Sequence, residues 1–85
     1  MTNPTETTIN DGRVTLIVTT FDHVPGNRVV GKRYRLNVYL DLAAAKFGSD
    51  AHAWERCELS AEELAEELAS AKAFAARVNG AEVAA

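Results

Sequence analysis

Residues 33–40 read RYRLNVYL, an unbroken alternation of large apolar and polar side chains. An alternation of period two is typical of a β-strand that buries one face and exposes the other. The predicted buried side is Tyr34, Leu36, Val38 and Leu40, and the predicted exposed side is Arg33, Arg35, Asn37 and Tyr39. This strand, placed within residues 28–42, requires another element to cover its apolar side.

A second strand is predicted immediately before it. Residues 13–21, RVTLIVTTF, are rich in β-branched side chains, with Val14, Leu16 and Val18 on one face. The intervening residues 22–27, DHVPGN, contain Pro25-Gly26, a pair that suits the two central positions of a type II turn. The two strands are therefore expected to form an antiparallel hairpin.

The first twelve residues, MTNPTETTINDG, are polar and carry only one large apolar side chain besides Met1. Such a segment has little to bury in exchange for the entropy lost on ordering. We expect residues 1–12 to be a disordered tail.

Residues 42–50, LAAAKFGSD, fit either a short helical turn closed by Gly48 or a loop, and the sequence does not choose between them.

Residues 51–59, AHAWERCEL, predict a third strand. Its orientation stays open because Glu55 interrupts the apolar side. One side would carry Ala53, Cys57 and Leu59, and the other His52, Trp54, Arg56 and Glu58.

A C-terminal helix has the clearest start signal. Ser60 as N-cap and Glu63 three residues later form a capping box, with Leu59 and Leu64 placed as a hydrophobic staple. An apolar stripe at helical spacing follows: Ala61, Leu64, Leu68, Ala71, Phe74, Ala75 and Val78. Asn79-Gly80 is predicted to end the helix, leaving residues 81–85 as a short tail.

The 85 residues are too few for two hydrophobic cores, so residues 13–80 are predicted to be one domain. Its class is α+β, a three-stranded antiparallel sheet of order β-β-β-α with the amphipathic helix on one face. A single helix covers only one side of a sheet, and the other side then meets water or a partner.

The uncovered side carries the candidate binding residues. Phe21, Arg33, Arg35 and Tyr39 would lie on it, and Trp54 and Arg56 join them if Ala53, Cys57 and Leu59 point inward. Aromatic residues and arginines are enriched where protein interfaces are energetically strongest. The alternative is purely structural: Ile17 and Phe21 are edge packing, Trp54 is core, and the arginines solvate the sheet.

Charge is unevenly distributed. Residues 1–40 carry five Lys or Arg against three acids, whereas residues 41–85 carry four against nine, within a net charge of −3. Nucleic-acid binding depends on clustered cations and on aromatic side chains that stack on bases. It is therefore the alternative function, and it would use Lys32, Arg33 and Arg35 together with Tyr39 and Trp54. The acidic second half makes it the weaker interpretation.

No motif indicates catalysis. Ser49, Asp50 and His52 have the residue types of a hydrolase triad, but their setting is that of a turn. His52 and Cys57 would project to opposite strand faces, which does not suit a metal, and no glycine-rich phosphate loop occurs. A cluster of acids, Glu62, Glu63, Glu66 and Glu67, fits a solvated helix face better than a cation-binding or acid–base site, with an acidic docking surface as a further alternative. We expect no enzyme activity, no cofactor and no metal.

The lone Cys57 cannot form an intramolecular disulfide, and the chain has neither a signal-peptide pattern nor an apolar run long enough for a membrane span. The sequence therefore predicts a cytoplasmic protein with no membrane partner.

The expected function of the chain is that of a small binding module, a regulatory, inhibitor or adaptor protein such as phages and mobile elements encode. A homodimer joined through the open side of the sheet is the first partner to consider.

Overall fold

Four antiparallel strands in chain order and one C-terminal helix make up the fold. The computed structural model describes residues 4–24, 26, 28 and 30–84. The elements are β1 (Thr5–Asp11), β2 (Val14–His23), β3 (Gly31–Leu40), β4 (His52–Leu59) and α1 (Ala61–Ala84), with sheet order β1-β2-β3-β4. The predicted α+β class, a helix packed on one face of an antiparallel sheet, is confirmed. The predicted number of three strands is wrong.

The additional strand is β1, which lies within the segment predicted to be a disordered tail. It pairs with β2 along its whole length, from Thr5 opposite Thr20 to Asp11 opposite Val14. Only Ile9 is partly buried against the core, so the strand is held by its backbone ladder rather than by apolar burial. Its threonines favour extended backbone even though they bury little.

The turn between β1 and β2 is attached to the far end of α1 through Asn79. The amide nitrogen of Arg13 donates to Asn79 Oδ1 at 3.0 Å, and Asn79 Nδ2 donates to the carbonyl of Asp11 at 3.0 Å. Gly12 has φ 61, and a Cβ there would lie 2.5 Å from Asn79 Oδ1. Glycine is therefore required at this turn both by its backbone conformation and by the proximity of the helix.

The core lies between α1 and the middle of the sheet. Its fully covered side chains are Val14, Leu16, Leu36, Val38, Leu59, Ala71 and Ala75, with Val18 nearly so. The predicted alternation of β2 and β3 is confirmed by this set. Most of the predicted helix stripe also packs here, but Ala61 is exposed. Because α1 lies mainly over β3, the small Ala71 and Ala75 allow close approach of the helix to the sheet.

Helix α1 begins as predicted and ends later. The Ser60 amide nitrogen donates to Glu63 Oε1 at 3.1 Å, and the Glu63 amide nitrogen donates to Ser60 Oγ at 3.2 Å. Hydrogen bonding to the Ser60 amide, and next to the Ser60 side chain, lowers the pKa of the Glu63 carboxyl. The predicted stop at Asn79-Gly80 is wrong, because the Asn79 side chain binds the β1–β2 turn and the helix continues to Ala84.

The β2–β3 and β3–β4 connections can each be compared with the sequence prediction. Gly26 in the β2–β3 turn has φ 70, as a type II turn requires, but Pro25 lies outside the described residues. The β3–β4 connection forms two short 3₁₀ turns, Leu42–Ala44 and Gly48–Ala51, which settles the choice left open between turn and loop.

Asp41 starts the β3–β4 connection in a left-handed conformation, with φ 55. Its carboxylate receives two hydrogen bonds from the Arg13 guanidinium, from Nε at 2.8 Å and from Nη2 at 2.6 Å. These bonds hold the pKa of Asp41 below its usual value. The β3–β4 connection is thereby tied to the start of β2.

The contact between Gly12 and Asn79 is testable by a pair of glycine variants. Gly12→Ala and Gly26→Ala both place alanine at positive φ, at a cost of about 1–2 kcal/mol each. Only Gly12→Ala also displaces Asn79, so it should reduce the free energy of unfolding by about 1 kcal/mol more. Urea denaturation measures both values.

The control is the Asn79→Ala background, in which the additional cost of Gly12→Ala should disappear. An equal cost of the two glycine variants in the wild-type background would contradict the docking of the β1–β2 turn on α1.

Candidate protein-binding face

The side of the sheet opposite α1 is a broad surface that we call the open face. Residues paired across an antiparallel ladder share a face, so the strand register assigns its members. They are Glu6, Thr8 and Asn10 of β1, Thr15, Ile17, Thr19 and Phe21 of β2, Arg33, Arg35, Asn37 and Tyr39 of β3, and His52 and Glu55 of β4.

Four of the six predicted binding residues, Phe21, Arg33, Arg35 and Tyr39, lie on the open face. The guanidinium carbon of Arg35 stands 5.9 Å from the centroid of the Phe21 ring, a cation–π distance. Arg33 is paired directly with Phe21 across the ladder. Phe21 and the two arginines therefore form one cluster at the end of the face nearest the β2–β3 turn.

The other two predicted residues, Trp54 and Arg56, lie on the helix side of the sheet. The ring of Trp54 meets that of Phe74 edge to face, with centroids 5.1 Å apart. Arg56 Nη1 lies 3.3 Å from Glu67 Oε1 of α1. Their expected place on the open face required Ala53, Cys57 and Leu59 to point inward, and only Leu59 is buried.

Two bulges in β4 explain this difference. Val38 pairs with Trp54 while the next residue, Tyr39, pairs with His52, so β4 has one residue more than β3 at this point. A second irregularity lies between Arg56 and Leu59, where Glu58 has φ 56. Each bulge shifts the alternation by one residue. A prediction that assumes strict alternation along β4 therefore places Trp54 and Arg56 on the wrong side of the sheet.

A groove of about 570 Å³ crosses the end of the open face that is farther from Phe21. One wall is the β3–β4 connection, which approaches the sheet at Leu42 and at Gly48 and Ser49. The floor and the other wall are formed by Ile17, Asn37, Tyr39, His52 and Glu55. The open face thus combines a flat arginine and aromatic cluster at one end with a concave site at the other.

The His52 ring contacts two other side chains of the groove, Asn37 and Tyr39. His52 Nε2 and Asn37 Oδ1 are 2.9 Å apart, and the His52 and Tyr39 ring centroids are 5.2 Å apart at a tilt of 46°. His52 is a sequence candidate for catalysis and for a metal, but neither His52 nor Glu55 is among the six predicted partner-binding residues. The bulge that brings them beside Asn37 leaves no pattern in the sequence, although Glu55 did mark the break in the alternation.

The residues considered for catalysis do not converge on one point. His52 lines both the groove, together with Ser49, and a neighbouring depression, together with Asp50 and Asp41, so neither depression holds all three residue types. The side chain that His52 contacts by a hydrogen bond is an amide, Asn37, and not a carboxylate. Among the described residues no group of three or more His, Cys, Asp or Glu is placed to hold a metal ion.

The charge of the open face is mixed. Arg33 and Arg35 lie on it together with Glu6 and Glu55, whereas the neighbouring Lys32 lies on the other side of the sheet and forms an ion pair with Asp22. Lys32, Arg33 and Arg35, although close in sequence, therefore do not form a single basic surface.

Neither a family model, nor a curated protein, nor a solved structure matches the chain. Within the described residues, no helix is both long enough and apolar enough to cross a bilayer.

The side on which Trp54 lies is testable by fluorescence. Because its ring packs on Phe74, iodide should quench Trp54 only weakly, and dilution of the protein should not change this. Phe74→Ala should increase quenching and shift the emission to longer wavelength. Tyr39→Ala, a control on the open face, should change neither. Strong quenching that disappears as the protein is concentrated would place Trp54 on the open face.

Proposed function

We propose that the chain is a non-enzymatic binding module, of the regulatory, inhibitor or adaptor kind, whose open face binds the surface of a protein. The observation that supports this is the grouping of Phe21, Arg33, Arg35 and Tyr39 on the side of the sheet that α1 leaves uncovered. Such residues offer large contact area and planar hydrogen bonding at a small cost in side-chain entropy.

The shape of the open face favours a protein partner. Thr15 and Thr19 are only 9% and 8% exposed, so the middle of the face is a closed surface without a cavity at these two residues. The groove beside Tyr39 suits an inserted apolar or aromatic side chain. Arg33 and Arg35 suit carboxylates, which they bind in a bidentate manner. The partner we propose therefore presents an apolar residue and an acidic group on the same surface.

Nucleic-acid binding through the same arginines is the second candidate. It is less well supported because Glu6 and Glu55 share the face with Arg33 and Arg35, and because Lys32 lies on the opposite side in an ion pair. Binding to phosphates would weaken steeply with added salt, whereas an interface with an apolar centre changes little.

A photo-crosslinking experiment tests the proposal and captures whichever protein binds. Benzoylphenylalanine is placed at Glu55, on the open face, or at Ala73, which is exposed on α1. We expect protein adducts from Glu55 in cells of the source organism and few from Ala73. The double change Arg35→Ala and Tyr39→Ala should reduce the adducts by about tenfold or more, because interface energy is concentrated in such residues.

Circular dichroism of the doubly substituted protein controls for loss of the fold. Adducts to a second copy would support protein binding with the chain itself as partner. Adducts removed by nuclease, or equal yields from Glu55 and Ala73, would overturn the proposal.

A further inference from the structure

The two edges of the sheet differ in how regular they are. Strand β4 is interrupted by two bulges, a feature that blocks pairing with another strand. Strand β1 has an unbroken register from Thr5 to Asp11, and all of its residues are exposed except Ile9, which is partly buried. It contains neither lysine nor proline, which commonly protect a free edge.

The hydrogen bonds of the neighbouring strands show which backbone groups of β1 point outward. The Asp41 amide nitrogen donates to the Arg13 carbonyl at 2.7 Å, and the Val30 amide nitrogen donates to the His23 carbonyl at 2.9 Å. Odd-numbered residues of β2 thus direct their backbone groups to β3, and even-numbered residues direct theirs to β1.

The even-numbered residues of β2 are paired with the odd-numbered residues of β1, from Thr5 to Asp11. The remaining residues of β1 are Glu6, Thr8 and Asn10. Their N–H and C=O groups point away from the sheet and have no strand beside them among the described residues. Because these groups occur on alternate residues, they match the pairing pattern of a further antiparallel strand.

We propose that β1 pairs antiparallel with β1 of a second copy of the chain, on a two-fold axis at Thr8. Thr8 then faces Thr8 of the second copy, and Glu6 faces Asn10 of the second copy. Each of these pairs exchanges two N–H···O bonds, so all of the outward backbone groups from Glu6 to Asn10 are satisfied. Pro4, which has no N–H, ends the ladder on the outer side.

The side chains of β1 are compatible with this register. Its two acids, Glu6 and Asp11, face the neutral Asn10 and Thr5 of the second copy. A register centred on Glu6 would instead set two carboxylates directly opposite each other, which is unfavourable. On the helix side of the sheet, Ile9 meets Thr7 of the second copy, which covers the part of Ile9 that remains exposed in one chain.

The dimer would be an eight-stranded sheet with both helices on one side and both open faces on the other, because the two-fold axis is perpendicular to the sheet. A partner with two matching sites would then be bound with avidity. This dimer does not depend on what the open face binds, since the edge of β1 and the centre of the open face are different surfaces.

Disulfide trapping tests the register. In a Cys57→Ser background, Thr8→Cys should give a disulfide dimer in glutathione buffer, because a hydrogen-bonded pair has its Cα atoms about 5.5 Å apart, a normal disulfide spacing. Glu6→Cys is the matched control on the same face and should give no disulfide dimer, because position 6 of one copy does not face position 6 of the other in this register. Glu6→Cys mixed with Asn10→Cys should again give a covalent dimer. Equal dimer yields from Thr8→Cys and Glu6→Cys alone would overturn the register.

Sedimentation velocity tests whether the dimer forms through the edge of β1. The wild type should have the mass of a dimer, Thr8→Pro should be monomeric because it removes an outward N–H, and Thr8→Ala should remain dimeric. Loss of the dimer in the Arg35→Ala and Tyr39→Ala protein, but not in Thr8→Pro, would move the contact to the open face and overturn the edge dimer while supporting the proposed function. A monomeric wild type would overturn the edge dimer alone.

Discussion

The packing of Ala71 and Ala75 of α1 against Leu36 and Val38 of β3 is the contact on which the rest of the structure depends. All four side chains have no exposed surface. A helix that meets a sheet through alanines lies close to it, and close packing of this kind requires a strand with one consistently apolar face. Strand β3 meets that requirement, and it is flanked by strands on both sides.

Once α1 has covered one side of β3, the alternation of the strand decides what the other side presents. Arg35 and Tyr39 are neighbours of buried residues in sequence, yet they face away from the helix. The open face is thus a direct consequence of core packing. The bulges of β4 modify it, turning Trp54 toward Phe74 and bringing His52 beside Asn37.

The sequence predicts those parts of the fold that depend on local patterns. The alternation of β3 and the capping box at Ser60 are properties of a few adjacent residues, and both are present in the structure. Strand β1 was missed because it buries little and is held by its ladder to β2 and, through its turn, by Asn79 from 66 residues away in sequence. Its existence depends on contacts that no local pattern contains.

The candidate site also has one part that local sequence patterns predict and one part that they do not. The arginine and aromatic cluster at Phe21 follows from strand alternation and was predicted, whereas the groove at His52 was not. The groove requires a bulge in β4 and the two 3₁₀ turns of the β3–β4 connection, and each of these is decided by tertiary packing.

The sidedness of β3 is most directly measured by paramagnetic relaxation enhancement with an inert, soluble gadolinium chelate. Side-chain protons of Arg35 and Tyr39 should be strongly broadened, and the methyl groups of Leu36 and Val38 should be nearly unaffected. Pairing of two chains through β1 would leave this contrast unchanged. Broadening of Leu36 and Val38 together with protection of Arg35 and Tyr39 would show that the helix covers the other side of the sheet, and would contradict both the core and the open face described above.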